Sequence, residues 1–330
     1  MSENLSVKIA EIGAMEACNA YIDDPKALAQ LWDENGYWLF KKVLDPEALD
    51  NYRQPILDKL KGLGVVDADS KEPIYSRRGM EKFGARMFAG YENPEGVNKS
   101  KTWLEFLRSP KVNAFFSRVL GYDPAWIPIA EVRMVPPDEP TELGNLIFPH
   151  QDAFYNAGYR FTAAWMPLFD SPRASGGLAV ARGQYRRGLM HDASDLPRCP
   201  IPAGTIPDEA WVTTDYEAGD VVFFRSDTPH SGVRNHSMDR FRLSFDARWI
   251  LPGEKPIVLG VVEASSAQSI TVRQDNGVVE TYGFTPDSYV RAYGTIAVKL
   301  EDVPTVYPVG EEAFLTLEGD KVLLLRYPKY

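Results

Sequence analysis

The feature that most constrains this chain is a pair of short motifs that lie far apart in the sequence. One is His150-Gln151-Asp152, and the other is His230, which ends the segment Thr228-Pro229-His230. If the first motif ends a strand, residues i and i+2 project to one side, so the imidazole and the carboxylate can meet one ion while Gln151 points away. Two imidazoles and one carboxylate on one face of a metal are typical of non-haem Fe(II) oxygenases.

The sequence around the four histidines indicates which of them completes the set. His230 follows the apolar run 221–224, which comes after a Gly-Asp turn and is typical of a buried strand. His191 lies in a polar loop pattern and His236 in an Asn-His-Ser turn, so we predict that both are exposed. His230 is therefore the predicted partner of His150 and Asp152.

Downstream of His230, the segment 241–246 alternates strictly between apolar and polar residues. A strand here places Phe241, Leu243 and Phe245 on one face, and it places a guanidinium and a hydroxyl, Arg242 and Ser244, on the other. A planar guanidinium beside a hydroxyl suits a carboxylate that is held at two points.

Further segments accompany these motifs in a fixed order. They are 164–168 (Ala-Trp-Met-Pro-Leu), 175–178 (Ser-Gly-Gly-Leu) with Gly183, and 219–224 followed by His230, Asn235, Ser237 and Arg242. As an ordered set, over roughly residues 25 to 255, they resemble the phytanoyl-CoA hydroxylase family of Fe(II)- and 2-oxoglutarate-dependent oxygenases.

The resemblance implies a set of site residues. Fe(II) would be held by His150, Asp152 and His230, and the cosubstrate 2-oxoglutarate would chelate the iron. Its far carboxylate would be held by Arg242 and Ser244, because Arg242-x-Ser244 resembles the carboxylate clamp of the family better than the rival Arg240 does. By the same resemblance, Trp165 lines the cosubstrate pocket.

The reaction implied is oxidation of an unactivated C–H bond of a small organic substrate by O2, with release of succinate and CO2. Hydroxylation is the default outcome, and a natural-product tailoring step is the preferred setting. Phe154 and Tyr155 follow the first ligands closely, so we predict that they lie near the substrate, although a packing role is about equally compatible with the sequence. Two alternatives stay open: a non-catalytic jelly-roll binding protein, and a hydrolase that uses Zn, which accepts the same ligand types.

The order of the elements predicts an α+β fold. Helical patterns occupy about residues 24–121 and strand patterns about 127–252, which favours helices that buttress one face of a sheet. The short strands separated by turns suggest a double-stranded β-helix, the cupin-like jelly roll. We interpret residues 1–255 as the oxygenase domain. In strand 129–135, Glu131 and Arg133 share a face, and a simple ion pair between them is preferred over contact with a cosubstrate.

A small β-rich appendage is predicted over residues 256–330. It carries two hairpin signals, at 269–282 and 314–325. No motif states its role, and both a wall of the active-site mouth and a surface for a homo-oligomer are compatible with it.

Charge and composition limit the partners. The net charge of −10 argues against a general nucleic-acid or membrane surface, so we predict a small-molecule substrate and neither of those partners. Only two cysteines occur, and no targeting or membrane-spanning pattern is visible, which favours the cytoplasm.

Overall fold

A computed structural model of the chain describes residues 12–78, 101–137, 148–195, 199–255, 257–292 and 297–329. Its helices are α1 (Pro25–Asn35), α2 (Pro46–Gly62), α3 (Thr102–Arg108), α4 (Pro110–Leu120) and α5 (Val303–Val306). Its strands are β1 (Gly13–Ala14), β2 (Tyr37–Phe40), β3 (Ala125–Val135), β4 (Phe161–Pro167), β5 (Gly177–Ala181), β6 (Trp211–Thr213), β7 (Val221–Arg225), β8 (His230–Val233), β9 (Arg242–Ile250), β10 (Ile257–Ser265), β11 (Ser269–Gln274), β12 (Val279–Gly283), β13 (Tyr289–Val290), β14 (Glu312–Glu318) and β15 (Lys321–Arg326).

The first two helices begin at aspartate caps followed by proline. The Asp24 side chain accepts hydrogen bonds from the first-turn amides of α1, and that of Asp45 accepts one from α2. Although it contains Pro55, α2 is continuous from Pro46 to Gly62. Pro55 lies on the exposed face, where water can satisfy the carbonyl that loses its amide partner. Among the described helices, none has the length and apolar character needed to cross a bilayer.

The helices pack on one face of a five-stranded sheet with the order β2-β7-β4-β9-β3. Apolar side chains of α2, α3 and α4 share a core with residues of the sheet such as Val132, Met134, Phe223 and Phe245. The buttress that we predicted from the order of the elements is therefore present. Residues 79–100 of that predicted helical segment lie outside the described residues.

A four-stranded sheet with the order β1-β6-β5-β8 covers the other face. Trp165, Val222 and Phe224 of the larger sheet share a core with Leu178 and Val180 of β5. The polar face of β9 therefore points into the space between the two sheets, and β8 brings His230 to the same space.

The residues after 256 form a third, six-stranded sheet with the order β12-β11-β10-β14-β15-β13. It closes on itself through a contact between Gly283 and Lys321. Both predicted hairpins are present, as the antiparallel pairs β11–β12 and β14–β15. Phe314 and Leu324 pack against Ile127, Ile129 and Phe161 of the five-stranded sheet, so this appendage lies directly against the rest of the molecule.

Candidate metal centre

The two histidines of the motifs lie opposite each other in an antiparallel bridge. The backbone amide of each donates to the carbonyl of the other at 2.9 Å, and the ring centroids are 4.1 Å apart. Directly opposed residues project to the same side of a sheet. The fold therefore brings together two imidazoles that are far apart in the sequence.

Asp152 completes the cluster. Its Oδ1 lies 3.8 Å from Nε2 of His150 and 3.9 Å from Nε2 of His230. The three ligand atoms all lie within 4.8 Å of one another, and all three residues are buried. Gln151 points away, as predicted: its amide donates to the carbonyls of Gly188 and Asp227.

Both imidazoles present a free ring nitrogen to this cluster. Nδ1 of His150 and Nδ1 of His230 each lie 3.0 Å from the carbonyl two residues earlier, so Nδ1–H donates there and Nε2 keeps its lone pair. Nε2 of His150 is buried and has no hydrogen-bond partner among the described residues. Burial lowers the pKa of both imidazoles, which keeps them neutral. Two neutral imidazoles and a carboxylate fit a divalent first-row metal such as Fe(II).

Arg248 holds the second oxygen of the Asp152 carboxylate. Its Nε and Nη2 donate to Oδ2 at 3.1 and 2.8 Å. Burial alone would raise the pKa of Asp152, but the Arg248 guanidinium, through its charge and its hydrogen bonds, outweighs burial and holds that pKa far below its usual range. The carboxylate is thus ionised. Its Oδ1 is turned toward the imidazoles, and its Oδ2 accepts hydrogen bonds from Arg248.

Arg248 belongs to a larger buried network of charges. It also contacts Asp246, which accepts from Nε of Arg133 at 2.6 Å. Arg133 lies 3.2 Å from Glu131, and Glu131 lies 3.1 Å from Nζ of Lys329. The predicted ion pair between Glu131 and Arg133 forms, but it is only one step of this network, because β3 and β9 are neighbours and their polar faces coincide.

Arg242 lies on the same face of β9 and differs from these arginines in having no carboxylate partner in the described part of the chain. Only 4% of it is exposed, its Nε has no partner there, and Nη1 reaches the Gly177 carbonyl at 3.5 Å. Burial, and then the nearby Arg133, lower its pKa to about 10. The Ser244 hydroxyl is also buried without a partner among these residues. Burying a charged or polar group without a partner is energetically unfavourable. The guanidinium and the hydroxyl can both donate hydrogen bonds, so their arrangement fits a bound anion.

A cavity of about 30 Å³ connects these side chains. Its lining includes His150, His230, Arg242 and Arg248 as well as Trp165, which we predicted at this place. Arg240, the rival of Arg242, instead pairs at 2.7 Å with Glu72, and both side chains of that pair are substantially exposed. A larger groove of about 610 Å³ lies between α2 and α3 and has none of the three predicted ligands in its lining.

The predicted substrate residues lie beside the cluster rather than in the lining of that cavity. Tyr155 is buried with its ring centroid 6.1 Å from that of His150, and Phe154 stacks on His191 at 4.1 Å. The prediction that His191 is exposed is wrong, because this residue is half-buried. Its Nε2 accepts a hydrogen bond from the backbone amide of Gln151, and its Nδ1 forms a hydrogen bond with the Cys199 carbonyl. His236 is exposed, as predicted.

Sequence reasoning missed Arg248 and Lys329. Arg248 could have been found by extending the alternation of β9 by two residues, since Arg242, Ser244, Asp246 and Arg248 share one face. Lys329 carries no comparable signal, because it reaches Glu131 through a contact between distant parts of the chain.

A family model described as phytanoyl-CoA dioxygenase (PhyH) matches residues 32–244. Two curated relatives, from Streptomyces arenae and Streptomyces exfoliatus, are both named 1-deoxypentalenic acid 11-beta-hydroxylase. The first is 28% identical over 252 residues and the second 29% over 248; each alignment covers 70% of this chain and 83% of the relative. A crystal structure of the epimerase SnoN in complex with Fe3+, alpha ketoglutarate and nogalamycin RO is 23% identical, covering 69% of this chain and 84% of that one with a TM-score of 0.45.

Proposed function

The chain belongs to the phytanoyl-CoA dioxygenase (PhyH) family, and we propose that it hydroxylates an unactivated C–H bond of a partly apolar small molecule in natural-product biosynthesis. The chain is an enzyme, a 2-oxoglutarate-dependent oxygenase, and its cofactors are Fe(II) and 2-oxoglutarate. The alternative of a non-catalytic binding protein is therefore set aside. The choice of hydroxylation over other outcomes is supported by the two relatives, whose names are those of hydroxylases.

In this proposal His150, Asp152 and His230 hold the metal through two neutral imidazoles and one carboxylate. Arg242 and Ser244 bind the far carboxylate of 2-oxoglutarate, and Trp165 forms a wall of the cosubstrate pocket. Iron bound here would activate O2, the oxidant: one oxygen atom would go to 2-oxoglutarate, which is oxidised to succinate and CO2, and the other would enter the substrate C–H bond. The residues of the chain orient these partners and exclude water.

The observation that carries the proposal is that the two histidines of the ligand cluster line the same cavity as Arg242, a buried guanidinium with no carboxylate partner among the described residues. A metal site alone is compatible with other chemistry, because Zn takes the same ligands. Arg242 places a positive charge beside the metal site, and water does not screen this charge because only 4% of the residue is exposed. Its burial therefore requires an anion nearby. A dicarboxylate that reaches from the metal to Arg242 meets both requirements.

The architecture is part of the same proposal. The five-stranded and four-stranded sheets, which share a core, form the double-stranded β-helix of the oxygenase domain, which we assign to residues 1–255, and we assign residues 256–330 to a distinct β-rich unit. Phe154 and Tyr155 lie on the loop that carries Asp152, so they contribute to the substrate side of the site. Their aromatic rings favour a partly apolar substrate.

An anaerobic titration with Fe(II) and 2-oxoglutarate tests the proposal. We expect the purified protein to develop the weak visible charge-transfer band of the iron chelate. His230→Ala should abolish the band because it removes one metal ligand. Arg242→Gln should keep the band but weaken 2-oxoglutarate binding roughly 30-fold, as expected for loss of a charge-assisted hydrogen-bond pair.

Arg240→Gln is the matched control for Arg242→Gln. Because Arg240 forms an exposed pair with Glu72, we expect it to change the affinity for 2-oxoglutarate by less than about twofold. The proposal fails if the wild-type protein shows no band at saturating Fe(II). If Arg240→Gln weakens binding and Arg242→Gln does not, the assignment of the clamp is wrong.

A further inference from the structure

Two separate series of side-chain contacts, which we call routes, connect the six-stranded sheet and the residues that follow it to the candidate metal ligand Asp152. The family model ends at residue 244, so both routes begin in a part of the chain that it does not match. One route leads to the side chain of Asp152 and the other to its backbone.

The first route is a series of ion pairs in which cations and anions alternate, and it begins at Lys329. Lys329 is placed by backbone hydrogen bonds to the edge strand β3: its amide donates to the Pro128 carbonyl at 2.6 Å, and its carbonyl accepts from Ala130 at 3.2 Å. The ladder between β3 and β9 is irregular between Ile127 and Glu131, so this stretch of β3 is open to a new neighbour. The side chain of Lys329 then lies beside Glu131 and is 16% exposed.

Every inner member of this route lies between two opposite charges. The order is Lys329, Glu131, Arg133, Asp246, Arg248 and Asp152. Because cations and anions alternate, three of each, the route is neutral as a whole. Removal of the first cation takes from Glu131 the ammonium that lies 3.1 Å away, which favours a shift of Arg133 toward Glu131 and away from Asp246. Arg248 would then follow Asp246 and loosen its hold on Oδ2 of Asp152.

The second route begins at Arg326, near the end of β15. Leu324 and Arg326 share one face of this strand, and Leu324 packs against the five-stranded sheet. Nη1 of Arg326 donates to Oδ1 of Asn156 at 2.6 Å, and Nδ2 of Asn156 donates to the backbone carbonyl of Asp152 at 2.7 Å. Only 3% of Arg326 is exposed, and within the described residues it forms no ion pair.

We infer that Lys329 and Arg326 are positioning residues, through which the C-terminal sheet holds the carboxylate and the backbone of Asp152 in the geometry needed to bind the metal. This inference rests on the proposed function, because it takes Asp152 as an iron ligand. It assigns the appendage a role in building the metal site, in addition to packing. Neither residue is one of the three candidate metal ligands, and neither is in the lining of the cavity beside them.

The test measures the dissociation constant for Fe(II) and the position of the charge-transfer band with 2-oxoglutarate. Lys329→Met and Arg326→Met remove the cations and keep the apolar stems. We expect each to weaken Fe(II) binding about tenfold and to shift the band, as loss of a group that orients a metal ligand does. Lys329→Arg, which keeps the cation beside Glu131, should stay within about twofold of the wild type.

Lys41→Met is the matched control for general destabilisation. Lys41 also pairs with a buried carboxylate, Asp220, at 2.6 Å, but among the described residues that pair contacts no member of either route. If Lys329→Met does not fold, Glu131→Gln breaks the same route with an isosteric side chain and should give the same loss of Fe(II) affinity.

The inference is overturned if Lys329→Met (or, in its place, Glu131→Gln) and Arg326→Met bind Fe(II) within about twofold of the wild type, or if they lose no more affinity than Lys41→Met does. These outcomes require a wild-type protein that binds Fe(II) and 2-oxoglutarate. A wild-type protein that binds neither contradicts the proposed function itself, so the two failures are distinguishable.

Discussion

Each histidine of the candidate metal centre is held in one tautomer by the residue two positions before it. Both occur in an x-Pro-His sequence, and in both Nδ1 meets the carbonyl of residue x, Phe148 or Thr228, at 3.0 Å. A residue before proline is biased to an extended conformation, which limits the directions in which its carbonyl can point. The local sequence therefore presents Nε2 toward the ligand cluster before any metal is bound.

His191 serves a structural role that requires a neutral ring. Its Nε2 accepts a hydrogen bond from the backbone amide of Gln151, the residue between the predicted ligands His150 and Asp152. Burial lowers the pKa of His191 to about 4. The unfolded chain, with a histidine pKa near 6.5, binds the extra proton first as the pH falls. Stability from His191 is therefore complete above about pH 6.5 and is lost as the pH falls toward about 4.

We predict that His191→Gln flattens the acid side of the stability profile. Between about pH 6.5 and 4, the free energy of unfolding of the wild type should fall by about 2 kcal/mol more than that of the variant, because the amide does not titrate. Urea unfolding at a series of pH values measures this. His150 and His230 titrate in both proteins, so the difference isolates His191, and parallel profiles would contradict the prediction.

At the scale of elements, the entry into β5 depends on a glycine. Gly176 has a φ of +78°, and a Cβ at this position would lie 2.4 Å from the Val233 carbonyl. Val233 ends β8, the strand that begins with His230, and its register partner in β5 is Gly177. The close approach of these two strands therefore requires a residue without a side chain, which explains the Ser-Gly-Gly segment physically.

Gly176→Ala should lower the free energy of unfolding by about 3 kcal/mol or more, since it combines left-handed strain with a clash against backbone. Gly188→Ala is the control: its φ of +74° gives similar strain, but no atom lies within 4 Å of the added Cβ. We expect about 1 kcal/mol there. Chemical denaturation measures both, and equal losses would show that the close approach is unimportant.

At the scale of the whole molecule, the third sheet is joined to the five-stranded sheet by an apolar contact as well as by charges. Phe314 and Leu324 pack on residues of β3 and β4, and Arg291 donates to the Tyr155 carbonyl at 2.6 Å. The sheet also has its own core, which includes Val272, Leu315 and Leu325. Its packing against the five-stranded sheet therefore brings its arginines to the loop that carries Asp152.

Leu324→Ala tests this contact. Leu324 is fully buried, so we expect the free energy of unfolding to decrease by about 3 kcal/mol through lost burial and a cavity. Leu323→Ala, on the same strand but only half-buried, should cost less than about 1 kcal/mol. Denaturant titrations compare the two, and a loss for Leu323→Ala as large as that for Leu324→Ala would show that this interface contributes little.

Local periodicity and motif order were enough to predict a large part of this protein. The alternation of 241–246 predicted which side chains of β9 share a face with Arg242, and the hairpin signals predicted both C-terminal hairpins. The ordered motifs also predicted the family. These features succeed because each depends on residues that are close in the sequence, where backbone geometry dictates which side chains share a face.

The partners of the charged residues were decided by the tertiary structure. The sequence indicated that Glu131 and Arg133 share a face, but only the packing of β3 beside β9 and beside residue 329 shows that they join Lys329 to Asp152. The half-buried position of His191 has the same origin. Buried charges and imidazoles take the partners that the fold places within reach, and no local pattern encodes a contact between residues that are distant along the chain.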